Sequence, residues 1–163
     1  MTTTKQTTFT RDASGKALLV QREFNAPKEK VWRAWTEREL LDKWWAPLPW
    51  KAVTQEMDFR PGGQWRYYML GPEGEKHYCL VNYKTVDATT NFTSQDAFCD
   101  ENGKINTEFP VMRWITNFTK TSEGTRVDIR LDFDSEQDLK TITEMGFKEG
   151  FDAALGNLDA LLD

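Results

Sequence analysis

The sequence predicts an α+β protein: a curved antiparallel β-sheet of about seven strands around a long C-terminal helix, with two short helices after the first strand. Three observations carry this. Six strand-like segments follow one another after residue 50; in the last, Val127, Ile129, Leu131 and Phe133 alternate with Arg126, Asp128, Arg130 and Asp132, the pattern of a half-buried antiparallel strand. The C-terminal stretch carries an apolar stripe at helical spacing, through Leu139, Ile142, Phe147, Phe151, Ala154, Leu155, Leu158 and Leu162. Ahead of the six strands lie one more strand and two short helical patterns.

Each element has a local reason. Residues 1–10 are polar and threonine-rich and are expected to be loosely held, with 7–10 able to pair back as an edge. The first strand is 16–24, after the turn-like Arg11-Asp12-Ala13-Ser14-Gly15. Pro27 suits the first helical position, and Val31, Trp32 and Trp35 follow at helical spacing. Thr36 is placed to cap the second helix, with Glu39 at the spacing of a capping box. Leu40, Leu41, Trp44 and Trp45 form its apolar face; Pro47 and Pro49 end it. The six strands are 50–59, 64–70, 76–86, 91–100, 111–120 and 125–134. Between the first two, Pro61-Gly62-Gly63 reads as a tight turn. The final helix opens at Ser135 and Glu136 and contains Gly146, Gly150 and Gly156. Glycine costs a helix about 1 kcal/mol relative to alanine, so these glycines indicate close approach to the sheet or a slack segment beside a cavity.

Turn lengths give a register. A four-residue loop Gly71-Pro72-Glu73-Gly74 pairs Leu70 with Glu75. Trp65, Tyr67, Met69, Tyr78, Leu80, Asn82 and Val86 then share the inner face, and His77 and Cys79 lie outside. Pairing Val86 with Phe92 across the next turn puts Asp96 opposite Asn82 and Cys79 opposite Cys99. A slip of one residue would exchange the faces.

Composition narrows the function. The chain of 163 residues is read as one domain, 1–163, with a real core. The formal charge is −5, from 21 Lys and Arg against 26 Asp and Glu, with no basic stripe, so no nucleic-acid partner is expected. No apolar run nears the roughly 20 residues of a membrane helix, and the N-terminus lacks the apolar core of a signal peptide, so a cytoplasmic protein without membrane insertion is expected. The sequons Asn91-Phe92-Thr93 and Asn117-Phe118-Thr119 carry little weight in that setting. The two cysteines are expected to be reduced and inert. With one histidine, His77, there is no nucleophile–histidine pairing and no metal site. Glu56 with Asp58, and Asp96 with Asp100, have strand spacing, but such pairs arise by chance among 26 acids. No cofactor motif is present, and Gly62-Gly63 leads into a strand, not a phosphate-binding helix.

Taken together, several pieces resemble the START-like helix-grip superfamily (SRPBCC): Phe24-Asn25-Ala26-Pro27 with Val31-Trp32 and Trp35, Trp44-Trp45-Ala46-Pro47, Asp58 to Trp65, Gly71 to Gly74, Thr125 with Val127, and Gly146-Phe147 leading to Leu158. The resemblance runs from about Leu18 to Leu162 and is nearest to the branch of the C-terminal domain of the heat-shock-protein-90 ATPase activator. Ala46 stands where that family has glycine in Trp-Trp-Gly-Pro, and Phe147 where it has tryptophan. The resemblance implies a pocket between sheet and C-terminal helix. Similar proteins include lipid carriers, plant ligand binders, polyketide cyclases and a co-chaperone domain, so the fold does not fix the function. The activator resembles a two-domain protein with an N-terminal chaperone-binding domain, for which this chain has no room.

Three functions follow. The first is a stand-alone binder or carrier of a small hydrophobic or amphipathic molecule, as monomer or homodimer. Trp65, Tyr67, Met69, Trp114, Phe147 and Phe151 would line the cavity, with Asn82 or Asp96 orienting a polar group. The structural alternative is that Asn82 and Asp96 bond each other, and that Trp44-Trp45 is a core wedge and not a lid. The second function is a protein-interaction module, which needs an exposed apolar patch and a filled interior. The third is a cyclase- or aromatase-like enzyme, with an open cavity floored by a carboxylate or tyrosine. No catalytic residue is assigned.

Overall fold

The computed structural model describes residues 6–162. In chain order these form β1 (Thr8–Arg11), β2 (Ala17–Phe24), α1 (Lys28–Thr36), α2 (Arg38–Trp44), β3 (Lys51–Met57), β4 (Gln64–Leu70), β5 (Lys76–Asp87), β6 (Asn91–Phe98), β7 (Met112–Lys120), β8 (Thr125–Asp132), α3 (Glu136–Glu144) and α4 (Phe147–Leu162). The strands make one curved antiparallel sheet in the order β1-β2-β8-β7-β6-β5-β4-β3. The expectation of a loose N-terminus lies, for residues 1–5, outside the described residues; Thr8–Arg11 pairs with β2 as the edge strand.

One face of the sheet is apolar and covered by the helices. In β8 Thr125, Val127, Ile129 and Leu131 are all buried, with the charged residues between them half-buried on the other face. The aromatic excess fills part of the interior. Trp32 meets Phe59, Phe92 and Phe118 edge-on at 5.8, 5.9 and 5.2 Å, and Trp35 packs against Phe24 and Trp44 at 6.0 and 4.6 Å. Such geometry sets the positive ring edge against the negative face of its neighbour.

The turn at Pro61-Gly62-Gly63 uses each glycine differently. Gly62 has φ +84°, and its N–H donates to the Tyr83 carbonyl at 2.9 Å. At Gly63 a Cβ would lie 2.0 Å from the Asp58 carbonyl oxygen.

Four expectations need correction. The C-terminal helix is two helices. Ser135 caps α3, its hydroxyl accepting from the Asp138 N–H at 3.1 Å, but α3 stops at Met145 because Gly146 turns left-handed, φ +89°. Thr36 does not cap α2; its hydroxyl donates back to the Trp32 carbonyl at 3.0 Å, closing α1, and Glu37 is the N-cap. The β4–β5 loop is one residue longer than expected. The Gly71 N–H donates to the Glu75 carbonyl at 2.8 Å and the Glu75 carboxylate accepts from Glu73 N–H at 2.8 Å, so Glu75 belongs to the loop and Leu70 pairs with Lys76. Finally, Val86 does pair with Phe92, but a bulge at Lys84 shifts the ladder beyond it, placing Asp96 opposite Val81 and Cys79 opposite Phe98, not Cys99.

Candidate functional site

The loop and the bulge each shift the register by one residue, and together they slide β6 by two residues against β4, which restores its inward and outward phase. Strand β5 turns over, so Cys79, Val81 and Tyr83 face inward, while β6 keeps its expected phase and Asp96 stays inside. Over this part of the sheet lies a cavity of about 250 Å³. Tyr67, Met69 and Trp114 contribute from the sheet, and Phe147, Gly150 and Phe151 from the first turns of α4. Trp45 and Pro47 close one side.

The space exists because the helix wall is cut away. Gly146 and Gly150 border the cavity without side chains, and a Cβ at 150 would meet only Pro47, at 3.8 Å. The rings that do reach inward lean on one another: Trp114 packs edge-on against Phe151 at 5.6 Å, and Phe147 stacks on Phe151 at 5.4 Å.

Hydrogen bonds hold the walls. Trp44 Nε1 donates to the Ala34 carbonyl at 2.9 Å, and Trp45 Nε1 to the Tyr67 hydroxyl at 2.8 Å. Trp65 stacks on Tyr67 at 4.1 Å and donates from Nε1 to the Thr54 hydroxyl at 3.1 Å, which in turn donates to Asp42 at 2.6 Å. The Trp44-Trp45 pair is therefore a core wedge, and Trp45 is also a cavity wall.

Asp96 is the polar feature. Its side chain is 8% exposed and accepts a hydrogen bond from the Ser94 hydroxyl at 3.2 Å. Burial pushes its carboxyl up to about 8, against a smaller lowering by Ser94, so it is largely protonated at neutral pH. Burial, with Cys79 and Asp96 adding to it, also holds the Tyr67 hydroxyl well above the usual phenol range, and pushes the Cys79 thiol up to about 12. Both stay neutral, and Cys79 and Cys99 are free thiols.

Of the residues singled out from sequence, Tyr67, Met69, Asp96, Trp114, Phe147 and Phe151 border this cavity. Two do not. Trp65 lies behind Tyr67, against a smaller void of about 20 Å³. Asn82 falls on the opposite face of the sheet because β5 is turned over, and its side-chain oxygen accepts from Gln64 Nε2 at 3.1 Å. Asn82 and Asp96 do not bond each other. His77, expected outside, borders the cavity at its exposed mouth and packs on Trp50 at 5.0 Å. Ile142, Met145 and Met112 also line the cavity; in the sequence, the helix glycines are the available sign of a gap there.

The paired carboxylates come apart. Glu56 pairs with Arg66 at 3.8 Å, Asp58 with Arg60 at 2.7 Å, and Asp100 accepts backbone N–H groups of Asn102 and Lys104 at 2.8 and 2.9 Å. Among the described residues no cluster of His, Cys, Asp and Glu could hold a metal ion, and no helix is long and apolar enough to cross a membrane.

A curved antiparallel sheet gripping a C-terminal helix across an apolar cavity defines a helix-grip protein. The chain belongs to the family described as Activator of Hsp90 ATPase homolog 1-like protein, whose model matches residues 25–163. Solved structures agree. A crystal structure of a Mycobacterium smegmatis protein is 33% identical, covers 96% of this chain and 97% of its own, and superposes with a TM-score of 0.89. A solution structure from Arthrobacter aurescens is 30% identical over 95% of this chain and 90% of its own, TM-score 0.89. A crystal structure from Nitrosomonas europaea is 33% identical over 93% and 96%, TM-score 0.80. No curated protein matches the sequence.

Proposed function

We propose that this protein binds or carries a small hydrophobic or amphipathic molecule in the cavity between the sheet and α4. The observation that carries the reading is the cavity itself: about 250 Å³ walled by Tyr67, Met69, Trp114, Phe147 and Phe151, with Asp96 a buried carboxyl that has no ion-pair partner among the described residues. An apolar enclosure with few polar groups is the usual form of a small-molecule site. Transferring apolar surface into it supplies roughly 25 cal/mol per Å². The family's fold commonly encloses hydrophobic ligands, which supports the same reading. The reading takes the chain as one domain working in the cytoplasm, as monomer or homodimer.

Two alternatives are weighed against it. A protein-interaction module calls for a filled interior and an exposed apolar patch on the outer face or at the Trp44-Trp45 edge; the interior holds a cavity, and Trp44 and Trp45 are buried. A cyclase-like enzyme calls for a carboxylate or tyrosine at the cavity floor, and Asp96 and Tyr67 meet that requirement. Asp96, kept neutral, would be the proton donor in that case.

Native mass spectrometry of gently purified protein, repeated after denaturation, tests the main reading. A co-purifying small mass, lost on denaturation, is the expected result. Absence of any bound mass, together with no binding of apolar probes, would overturn it. A bound molecule that leaves chemically altered after incubation would favour the enzyme.

A further inference from the structure

The tryptophan side chains in and behind the cavity wall differ in one respect. Trp44, Trp45 and Trp65 each place the indole N–H on an acceptor, but Trp114 Nε1 is buried with no hydrogen-bond partner among the described residues. Thr116 Oγ1, two residues along β7, is likewise buried and unpartnered. Trp114 and Thr116 are 5% and 1% exposed. A buried polar group without a partner costs on the order of 1–3 kcal/mol, so two of them together call for an explanation.

Their placement supplies one. Thr116, Ser94 and Asp96 border the smaller void of about 20 Å³, and Asp96 and Trp114 form a wall common to this void and the main cavity. The smaller space has room for about one oxygen-sized group. Ser94 sits opposite Trp114 in the ladder and bonds to Asp96, so polar groups of the neighbouring strands β6 and β7 make one stripe on an otherwise apolar face. Donors and acceptors are mixed there, and among the described residues no Lys or Arg borders either space.

We propose that Asp96, Trp114 and Thr116 form a head-group subsite, and that it takes molecules ending in an uncharged oxygen, an alcohol or a ketone, in preference to a carboxylate or an ammonium. This rests on the cavity-binding reading above and specifies its ligand class. An alcohol or ketone oxygen accepts from the Trp114 N–H, and the protonated Asp96 or the Thr116 hydroxyl supplies a second donor. A ligand carboxylate would enter a low-dielectric site with no cation to meet it. An ammonium could pair with ionised Asp96, but it would set its own donors against the Trp114 N–H and leave that group unpaired.

The test is competition against N-phenylnaphthylamine, a neutral apolar fluorophore, with matched ten-carbon-class probes: decanol, methyl octyl ketone, decanoate and decylamine, at neutral pH. Decanol and the ketone are expected to displace the fluorophore at concentrations about tenfold or more below those of the two charged probes. Trp114→Phe keeps an aromatic ring, smaller than the indole, and removes the N–H. Relative to its effect on the fluorophore, it should weaken decanol and the ketone by about three- to tenfold, the range of one neutral hydrogen bond. Thr116→Val is the second variant if the first fails to fold, with the same expectation for decanol. Tighter binding of decanoate or decylamine, or an equal loss for every probe, would overturn the subsite while the cavity reading stands. Binding of neither the fluorophore nor any probe would overturn both. The decanol and ketone arms distinguish an alcohol from a carbonyl ligand.

Discussion

Asp96 ties its protonation to the stability of the fold. Its carboxyl ordinarily titrates at 3.8 and is raised to about 8 by burial, so the native state holds a proton that the unfolded chain releases. The stability this contributes is fully present below about pH 4 and is lost progressively until about pH 8, at about 1.4 kcal/mol per pH unit. Asp96→Asn removes the titration. Its melting temperature should exceed that of the parent at pH 9, and the difference should shrink as pH falls toward 4; parallel curves across that range would refute the burial of a lone carboxyl. Tyr67 is the second informative residue. Tyr67→Phe takes away the acceptor of Trp45 Nε1 and should cost about 1–2 kcal/mol in denaturant titration. Tyr67→Ala enlarges the cavity and should shift probe preference toward bulkier molecules; unchanged selectivity would remove Tyr67 from the binding wall.

At the level of elements, the break between α3 and α4 shapes the cavity. Gly146 lies at φ +89°, where a side chain is strained, so Gly146→Ala should destabilise by about 1–2 kcal/mol. Gly150 is different. It sits inside α4, and a Cβ there meets nothing nearer than Pro47 at 3.8 Å. Gly150→Ala should therefore stabilise the helix by about 1 kcal/mol while narrowing the cavity, so thermal stability and probe affinity should move in opposite directions. If both rise, the glycine is not what keeps that wall open. The same contrast explains why the spacing of glycines pointed to a gap but not to a helix break: one permits a backbone conformation, the other only withholds a side chain.

Across the whole molecule, α4 is anchored at its C-terminal half and leaves its N-terminal half over the cavity. Arg22 on β2 is 4% exposed, donates to Asp159 and to the Thr7 hydroxyl at 2.7 Å, pairs with Asp152 at 3.7 Å and lies over the Phe24 ring at 5.6 Å. Lys30 Nζ reaches the Leu162 carbonyl at 2.9 Å, and Asn157 Nδ2 reaches the Ala46 carbonyl at 3.1 Å. Arg22→Ala should lower unfolding stability by about 2–3 kcal/mol, and Arg22→Met should recover part of this through stem packing, without changing probe preference. A change in preference would mean that the anchored half also sets the cavity. The acidic surface and high aromatic content are properties of the chain as a whole and leave the ligand open.

Apart from the break at Gly146 that divides the C-terminal helix, element types and their order were determined by the sequence alone, because two-residue and helical periodicities are local and strong: β8 alternates cleanly, and α4 carries its stripe through Phe151, Leu155 and Leu158. The inward aromatic set of β4 was legible for the same reason. The tertiary structure decided the cross-strand partners. Whether Glu75 belongs to a loop or a strand, and whether Lys84 bulges, depends on backbone hydrogen bonds that periodicity does not record. A single residue at either place turns a strand over, which moved Asn82 outward and brought His77 and Cys79 inward. The cavity also belongs to the tertiary level. It is the difference between the volume the strands and helices enclose and the volume their side chains fill, and no one segment contains that difference.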